Sequence, residues 1–293
     1  MGLKKTFFAE EILDWRRNQL NIGGRLEDLD WLLDIGGGLE WASLQKIKIF
    51  QDKDKLYELS LSLEDLSFIW SRHLKENIPL QHLIGRCPWR DFELEVTPFA
   101  LIPRQETELL IDLALEKVDN SFCGRWADMG TGSGALAIAL ARSLPDWFGH
   151  AIDCSQDALL LAEKNLNRLA VNSKVDFNLG SWWEPIKDYW GTFDLVVANP
   201  PYIPSELMKG LHPVVRDHEP HLALCGGQDG MESFREISIG AMKALAPNGW
   251  LLFEHHHDQS ERALNYLINL GFRQVSFEND LAGIKRFAIA RRP

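Results

Sequence analysis

Through the first eighty residues apolar side chains recur at helical spacing, and after Pro79 that pattern changes character. Phe7, Phe8, Ile12 and Trp15 fall on one helical face, which Asn21-Ile22-Gly23-Gly24 brings to an end. A second stripe, Leu26, Leu29, Leu32 and Leu33, runs into Gly36-Gly37-Gly38. Ser62-Leu63-Glu64-Asp65 has the spacing of a capping box, with Asp in the Glu position, ahead of a helix to about Lys75. No strand-like alternation interrupts these stripes. Residues 1–85 therefore read as a small all-helical domain.

Beyond Pro79, Phe92, Leu94 and Val96 alternate with Asp91, Glu93 and Glu95, the period of a half-buried strand. Pro98 and Pro103 bracket a second extended piece, Phe99-Ala100-Leu101-Ile102, and a helix is expected over 106–118. From Arg125 strand and helix alternate. Strands are expected near 126–129, 149–153, 175–179, 194–198 and 250–254, and helices near 135–143, 156–169, 231–245 and 260–270. Two further strands, 274–277 and 284–290, close the chain. Such βα units form an α/β, doubly wound, mainly parallel sheet whose ligand lies beyond the carboxyl ends of its strands. The expected second domain is 86–293, a hairpin linker followed by this sheet.

Composition narrows the class. With 45% hydrophobic and 25% charged residues, the chain is neither disordered nor of low complexity. Its net charge of −11 is a poor basis for gripping phosphate backbones, which takes clustered Lys and Arg. Cys87, Cys123, Cys154 and Cys225 form no CxxC pair and fit no zinc spacing, so free thiols in a reducing compartment are expected. Met1-Gly2-Leu3-Lys4-Lys5-Thr6 lacks the apolar core of a signal peptide and matches only a loose acylation pattern. The apolar run 135–141 is far short of the ~18 residues that a membrane span requires. A soluble, cytoplasmic protein is expected. Tryptophan is the compositional oddity, with eleven copies against four tyrosines.

Candidate chemistry sits at two strand ends. Asp128-Met129-Gly130-Thr131-Gly132-Ser133-Gly134 joins a strand to a helix, and its alternate glycines permit sharp turning and close approach of a ligand. Asp153 ends the next strand, where a carboxylate can accept hydrogen bonds from ribose hydroxyls. Loop and acid together suit a nucleoside-type cofactor, NAD and S-adenosylmethionine alike. The fourth strand runs into Asn199-Pro200-Pro201-Tyr202. Two prolines cannot continue a ladder, and they stiffen the backbone where an open α/β sheet binds its ligand. The Asn199 amide oxygen and the Pro200 carbonyl can accept both hydrogens of a planar NH2 group, on which Tyr202 can stack. An amide nitrogen is a weak nucleophile, and it gains positive charge as a methyl arrives. Acceptors on its hydrogens therefore bind the transition state best.

These elements resemble class I methyltransferases acting on planar nitrogens. More specifically, Pro79-Leu80-Gln81-His82-Leu83-Ile84-Gly85, Leu101-Ile102-Pro103-Arg104-Gln105-Glu106-Thr107-Glu108, His218-Glu219-Pro220 and Gly226-Gly227-Gln228-Asp229-Gly230-Met231 resemble the HemK/PrmC family. Its members methylate the glutamine of the Gly-Gly-Gln motif in peptide chain release factors. The resemblance implies a seven-stranded sheet, a substrate-docking N-terminal domain and S-adenosylmethionine as cofactor, and a monomer is expected. Gly130, Thr131, Gly132, Ser133 and Gly134 would line the methionine and ribose portion, and Asp153 the ribose hydroxyls. Trp182 or Trp183 would pack near the adenine. Asn199, Pro200, Pro201 and Tyr202 would hold the substrate amide, with Arg104, Glu106 and Thr107 at the mouth. Gln105 stands where the family has proline, Met129 where it has leucine, and His256-His257 where a glycine often follows Glu254-His255.

Two other classes compete. An adenine-N6 methyltransferase would suit Asn-Pro-Pro-Tyr equally well but needs a nucleic-acid surface, and the acidic chain shows no basic cluster. A non-catalytic cofactor-binding module would have no use for an amide clamp. His255-His256-His257 is discounted as a metal site because consecutive strand-end residues diverge, and no metal is expected. Gly226-Gly227-Gln228 repeats the substrate tripeptide by coincidence. Residues 91–120 carry eight acids against Arg104 and Lys117, which suggests either a solvated face or a rim that steers a basic partner.

Overall fold

The computed structural model describes residues 4–50, 53–119, 123–170 and 173–293. Met1-Gly2-Leu3, which opens the acylation pattern, and Asn120, which ends the acidic stretch, lie outside them. The chain divides into two compact units, Met1–Arg86 with Pro213–His218, and Cys87–His212 with Glu219–Pro293. The segment 213–218 was not foreseen in the first unit. His218 Nε2 lies 2.8 Å from the Glu76 carbonyl there.

The first unit holds β1 (Lys5–Phe8), α1 (Ala9–Ile22), α2 (Leu26–Trp31), α3 (Trp41–Phe50), β2 (Leu56–Leu59), α4 (Leu63–Glu76) and α5 (Leu80–Ile84). Ser62 caps α4 as its sequence requires: Ser62 Oγ accepts the Asp65 N–H at 3.1 Å, and Asp65 accepts the Ser62 N–H. Ile12, Trp15, Leu29, Leu33, Leu66 and Trp70 meet in one apolar core. The expected all-helical composition needs correcting, because β1 and β2 form a two-stranded antiparallel sheet with Phe7 opposite Tyr57. Phe7 and Phe8 thus belong to a strand. The pairing joins segments about fifty residues apart, and period counting sees only local order.

In the second unit β3 (Arg86–Trp89) and β4 (Phe92–Glu95) form a hairpin, followed by α6 (Glu108–Leu115). The piece 99–102 joins no ladder and begins in a turn: the Ala100 N–H donates back to the Thr97 carbonyl and the Ile102 N–H to the Glu219 carboxylate. Next come β5 (Arg125–Met129), α7 (Ala135–Ser143), β6 (Phe148–Asp153), α8 (Gln156–Leu169), β7 (Lys174–Leu179) and β8 (Phe193–Ala198). After α9 (Pro213–Arg216), which belongs to the first unit, come α10 (His221–Leu224), α11 (Glu232–Ala244), β9 (Leu245–Glu254), α12 (Ser260–Asn269), β10 (Arg273–Asn279) and β11 (Lys285–Arg291). The seven strands order as β10-β11-β9-β8-β5-β6-β7. Strands β9, β8, β5, β6 and β7 run parallel, while β11 lies antiparallel to both neighbours.

From β5 the chain winds outward through β6 and β7, then returns to place β8 on the other side of β5. That reversal opens a crevice beyond the carboxyl ends of β5 and β8. The acidic stretch is less bare than its composition suggests. Asp91 pairs with Arg142 at 2.6 Å, Asp112 with Arg90 at 2.8 Å, and Glu95 with Lys164 and Arg168. No helix among the described residues is long and apolar enough to cross a membrane.

Candidate active site

A cavity of about 290 Å³ occupies the crevice. Its floor is the glycine loop between β5 and α7. Gly130 and Thr131 donate their backbone N–H groups to the Ile152 carbonyl, both at 2.9 Å, which locks the loop to the end of β6. Gly130, Gly132 and Gly134 have φ of +80°, +55° and +88°, the left-handed region where a side chain is strained. Gly130, Thr131, Gly132 and Ser133 line the cavity, and Gly134 does not. A Cβ on Gly134 would sit 3.1 Å from Ala162 in α8, so this glycine serves close helix packing instead.

Asp153 also lines the cavity. Its Oδ2 accepts the Gly132 N–H and its Oδ1 the Ser155 N–H, each at 2.9 Å, which aims the carboxylate and leaves lone pairs for a ligand. Burial raises its pKa from the ordinary value. Trp182 forms one wall, and its ring stands 3.4 Å from where a Gly130 Cβ would be. Trp183 is a core residue: its indole N–H donates to the Ile237 carbonyl at 3.0 Å, and its ring packs edge-on to Phe193. Of the two tryptophans, Trp182 is the one that lines the cavity.

Asn199 and Pro201 form the opposite wall with Arg104 and Thr107. Asn199 Nδ2 donates to Thr107 Oγ1 at 3.1 Å, so the carbonyl end of its amide remains to accept. Pro200, Tyr202 and Glu106, though named with these residues from the sequence, are not in the lining. Pro200 is buried, and Tyr202 is half-buried with its ring centroid 6.1 Å from that of His256. Burial and the nearby Glu254 carboxylate push the Tyr202 phenol up to about 12.

Several supporting groups were not foreseen. Buried Asp128 accepts the Thr131 hydroxyl at 2.7 Å and the Ala137 N–H at 3.1 Å, and burial pushes its pKa up to about 7. Buried Asn165 donates to the Ser133 and Glu95 carbonyls and so fixes the loop to β4. Glu219 accepts from Arg104 Nη2 at 2.6 Å and from the Ile102 N–H at 3.1 Å, which steadies the segment leading to Thr107. Gln259 donates to the Tyr202 and Gly230 carbonyls. Asp128 and Glu219 were visible as members of sequence motifs but without these roles, and the signal for Asn165 is a polar residue at an apolar helix position. Gly226 packs behind Pro201, with 2.6 Å between its would-be Cβ and the Pro201 carbonyl oxygen, which gives the internal Gly-Gly-Gln a packing explanation. In the histidine run, His255 is buried with Nδ1 on the His256 carbonyl, while His256 Nδ1 lies 2.7 Å from Asp258.

Residues 106–214 match the family model described as "Methyltransferase small domain". Over 295 aligned positions spanning both chains completely, the protein is 63% identical to the release factor glutamine methyltransferase of Prochlorococcus marinus. It is 36% identical, over 99% of both chains, to that of Synechocystis sp.. Among solved structures it resembles the hMettl16 catalytic domain, crystallised with MAT2A 3'UTR hairpin 6, at a TM-score of 0.53 and 16% identity, covering 82% of this chain and 84% of that one. At that identity the likeness concerns the fold.

Proposed function

The chain belongs to the release factor glutamine methyltransferase family, and from that premise we propose that it methylates the side-chain amide nitrogen of the Gly-Gly-Gln glutamine in peptide chain release factors. The methyl donor in this reading is S-adenosylmethionine, which supplies an electrophilic methyl on a sulfonium sulfur. The cavity fits such a molecule on its own evidence. Its floor is a glycine-rich backbone that a ligand can approach closely, its wall offers an indole face, and Asp153 has unused lone pairs toward ribose hydroxyls. Gly130, Thr131, Gly132, Ser133, Asp153 and Trp182 would hold the cofactor.

The observation that supports the amide chemistry most is the orientation of Asn199. With its NH2 group engaged by Thr107, its Oδ1 is left to accept a substrate N–H from the cavity side. Pro200 offers the second acceptor through its backbone carbonyl. As positive charge grows on the nitrogen, an acceptor held in advance gains strength, and Asn199 is held in this way by Thr107. Holding the amide in line with the methyl contributes further. The nitrogen's proton needs no strong base once the product is cationic.

The cytoplasm is the proposed location, consistent with four cysteines that form no disulfide. A monomer acting on protein, without direct nucleic-acid recognition, completes the reading. The test offers labelled S-adenosylmethionine with purified release factor, its Gln→Ala version in the tripeptide, and unmethylated DNA. Label is expected in the first alone. Label in DNA would replace the reading with an adenine methyltransferase, and label in none would favour a non-catalytic module.

A further inference from the structure

Asn199, Thr107 and Glu254 come from three separate stretches and form one line of hydrogen bonds. Asn199 Nδ2 lies 3.1 Å from Thr107 Oγ1, which in turn lies 2.6 Å from Glu254 Oε2. A hydroxyl carries a single proton. Donated to Glu254, that proton leaves Thr107 only lone pairs to offer Asn199. The NH2 end of the Asn199 carboxamide must then face Thr107, and the oxygen must face the cavity. Shape alone does not choose this rotation, because the two ends of a carboxamide are nearly the same size.

Resting on the proposed glutamine chemistry, we infer that Glu254, acting through Thr107, is a positioning residue that keeps the Asn199 oxygen turned toward the substrate nitrogen. Rotated by half a turn, Asn199 would present a donor to a donor, and the transition state would lose an acceptor where charge develops. The setting of Glu254 supports a directional role over a packing one. Its side chain ends β9 in full burial, and Oε1 has no hydrogen-bond partner among the described residues. A buried carboxylate with one oxygen unsatisfied is costly, and an apolar side chain would serve packing better. Among the described residues its side chain hydrogen-bonds to Thr107, and Thr107 leads to the cavity wall.

The test combines Thr107→Val, which keeps the shape and removes the hydroxyl, with Thr107→Ser, which keeps the hydroxyl, and Glu254→Met. Two quantities are read on the full chain. One is kcat and KM for both substrates. The other is hydrogen exchange of the 15N-labelled Asn199 side-chain amide in the free protein, which needs no turnover. Thr107→Val should lower kcat about tenfold, the scale of one hydrogen bond to a charged or polarised group, with the KM for S-adenosylmethionine within about twofold. It should speed exchange at Asn199 to a similar degree, and Thr107→Ser should restore both. Glu254→Met should lower kcat in the wild-type background and add nothing in Thr107→Val, the non-additivity of groups acting in series. Unchanged Asn199 exchange in Thr107→Val, equal damage from Thr107→Ser, or additive losses would overturn the inference. A wild-type enzyme that leaves release factor unlabelled would count against the substrate assignment instead, and the exchange measurement would still decide the relay.

Discussion

The two walls of the cavity are built by opposite means. Beyond β5, β6 and β7 the wall is main chain: the left-handed Gly130 and Gly132, paired N–H donors on one carbonyl, and a carboxylate aimed by backbone amides. Beyond β8 and β9 the wall is side chain: Asn199 oriented by Thr107, Thr107 held by Glu254, and Arg104 held by Glu219. A backbone cradle tolerates little variation but needs few partners. A side-chain relay is adjustable, yet each member depends on a buried polar neighbour. The first suits a cofactor bound alike in every cycle. The second suits a reacting amide whose charge changes during the step. Damage to the first wall should therefore appear in cofactor affinity, and damage to the second in turnover.

Asn199→Ala tests this most severely. Loss of one preorganised polar group typically costs roughly 10²-fold or more in turnover. That loss is expected in kcat for release factor methylation, with calorimetric S-adenosylmethionine affinity nearly intact. Unchanged turnover would remove the amide-clamp role, and a parallel loss of affinity would dissolve the distinction between the walls.

Trp182→Ala is the counterpart on the first wall. Removing an aromatic stacking face costs about 1–3 kcal/mol per base in comparable contacts, or about tenfold in the dissociation constant. The kcat at saturating cofactor should change less than twofold. Trp183→Ala should behave differently again, because it empties a core site and leaves the cavity lining untouched. Its effect should be a lower melting temperature, since Phe/Trp→Ala core truncations cost about 3–5 kcal/mol.

The same contrast explains what could be read without coordinates. Gly130 to Asp153 is a short stretch, and Gly132 N–H meets Asp153 across 21 residues, so the first wall was legible as a motif. The second wall was half legible. Asn-Pro-Pro-Tyr announces itself, but the partner of Asn199 lies 92 residues upstream, and Glu254 lies 147 residues from Thr107. Nothing in the local pattern of either segment states that they meet. Trp182 and Trp183 were adjacent in a segment with no regular period, so which one faces the cavity was not encoded in spacing. The β1–β2 pairing escaped for the same reason: register between distant strands is a tertiary fact.

The smallest effect, and the one that separates the walls within a single protein, is titration. Each wall has one buried carboxylate pushed up to about 7, Asp128 behind the glycine loop and Glu254 behind Asn199, in both cases mainly by burial. Glu254 is faced by Thr107, by Arg286 of β11, by Arg104 and Glu106 from the segment before α6, and by the Tyr202 phenol. Arg286, held above its ordinary value, and the Tyr202 phenol, pushed up to about 12, keep their charge states between pH 6 and 8, so Glu254 itself is the group that changes. Deprotonated, it is the stronger acceptor for the Thr107 hydroxyl, and kcat should rise about two- to fourfold from pH 6 to 8 with a midpoint near 7. Asp128 touches Thr131 and Ala137, so its ionisation should move the KM for S-adenosylmethionine rather than kcat. Stability should run the other way. A carboxyl with a raised native pKa keeps its proton while the unfolded chain has lost it, so its contribution is complete below about 4 and is lost as the pH rises through about 7. The melting temperature should therefore fall from pH 6 to 8 while turnover climbs. In Thr107→Val the kcat limb should flatten, because Glu254 no longer reaches Asn199, while the KM limb from Asp128 persists. A limb that survives in kcat would mean that Glu254 reaches the reaction by another route.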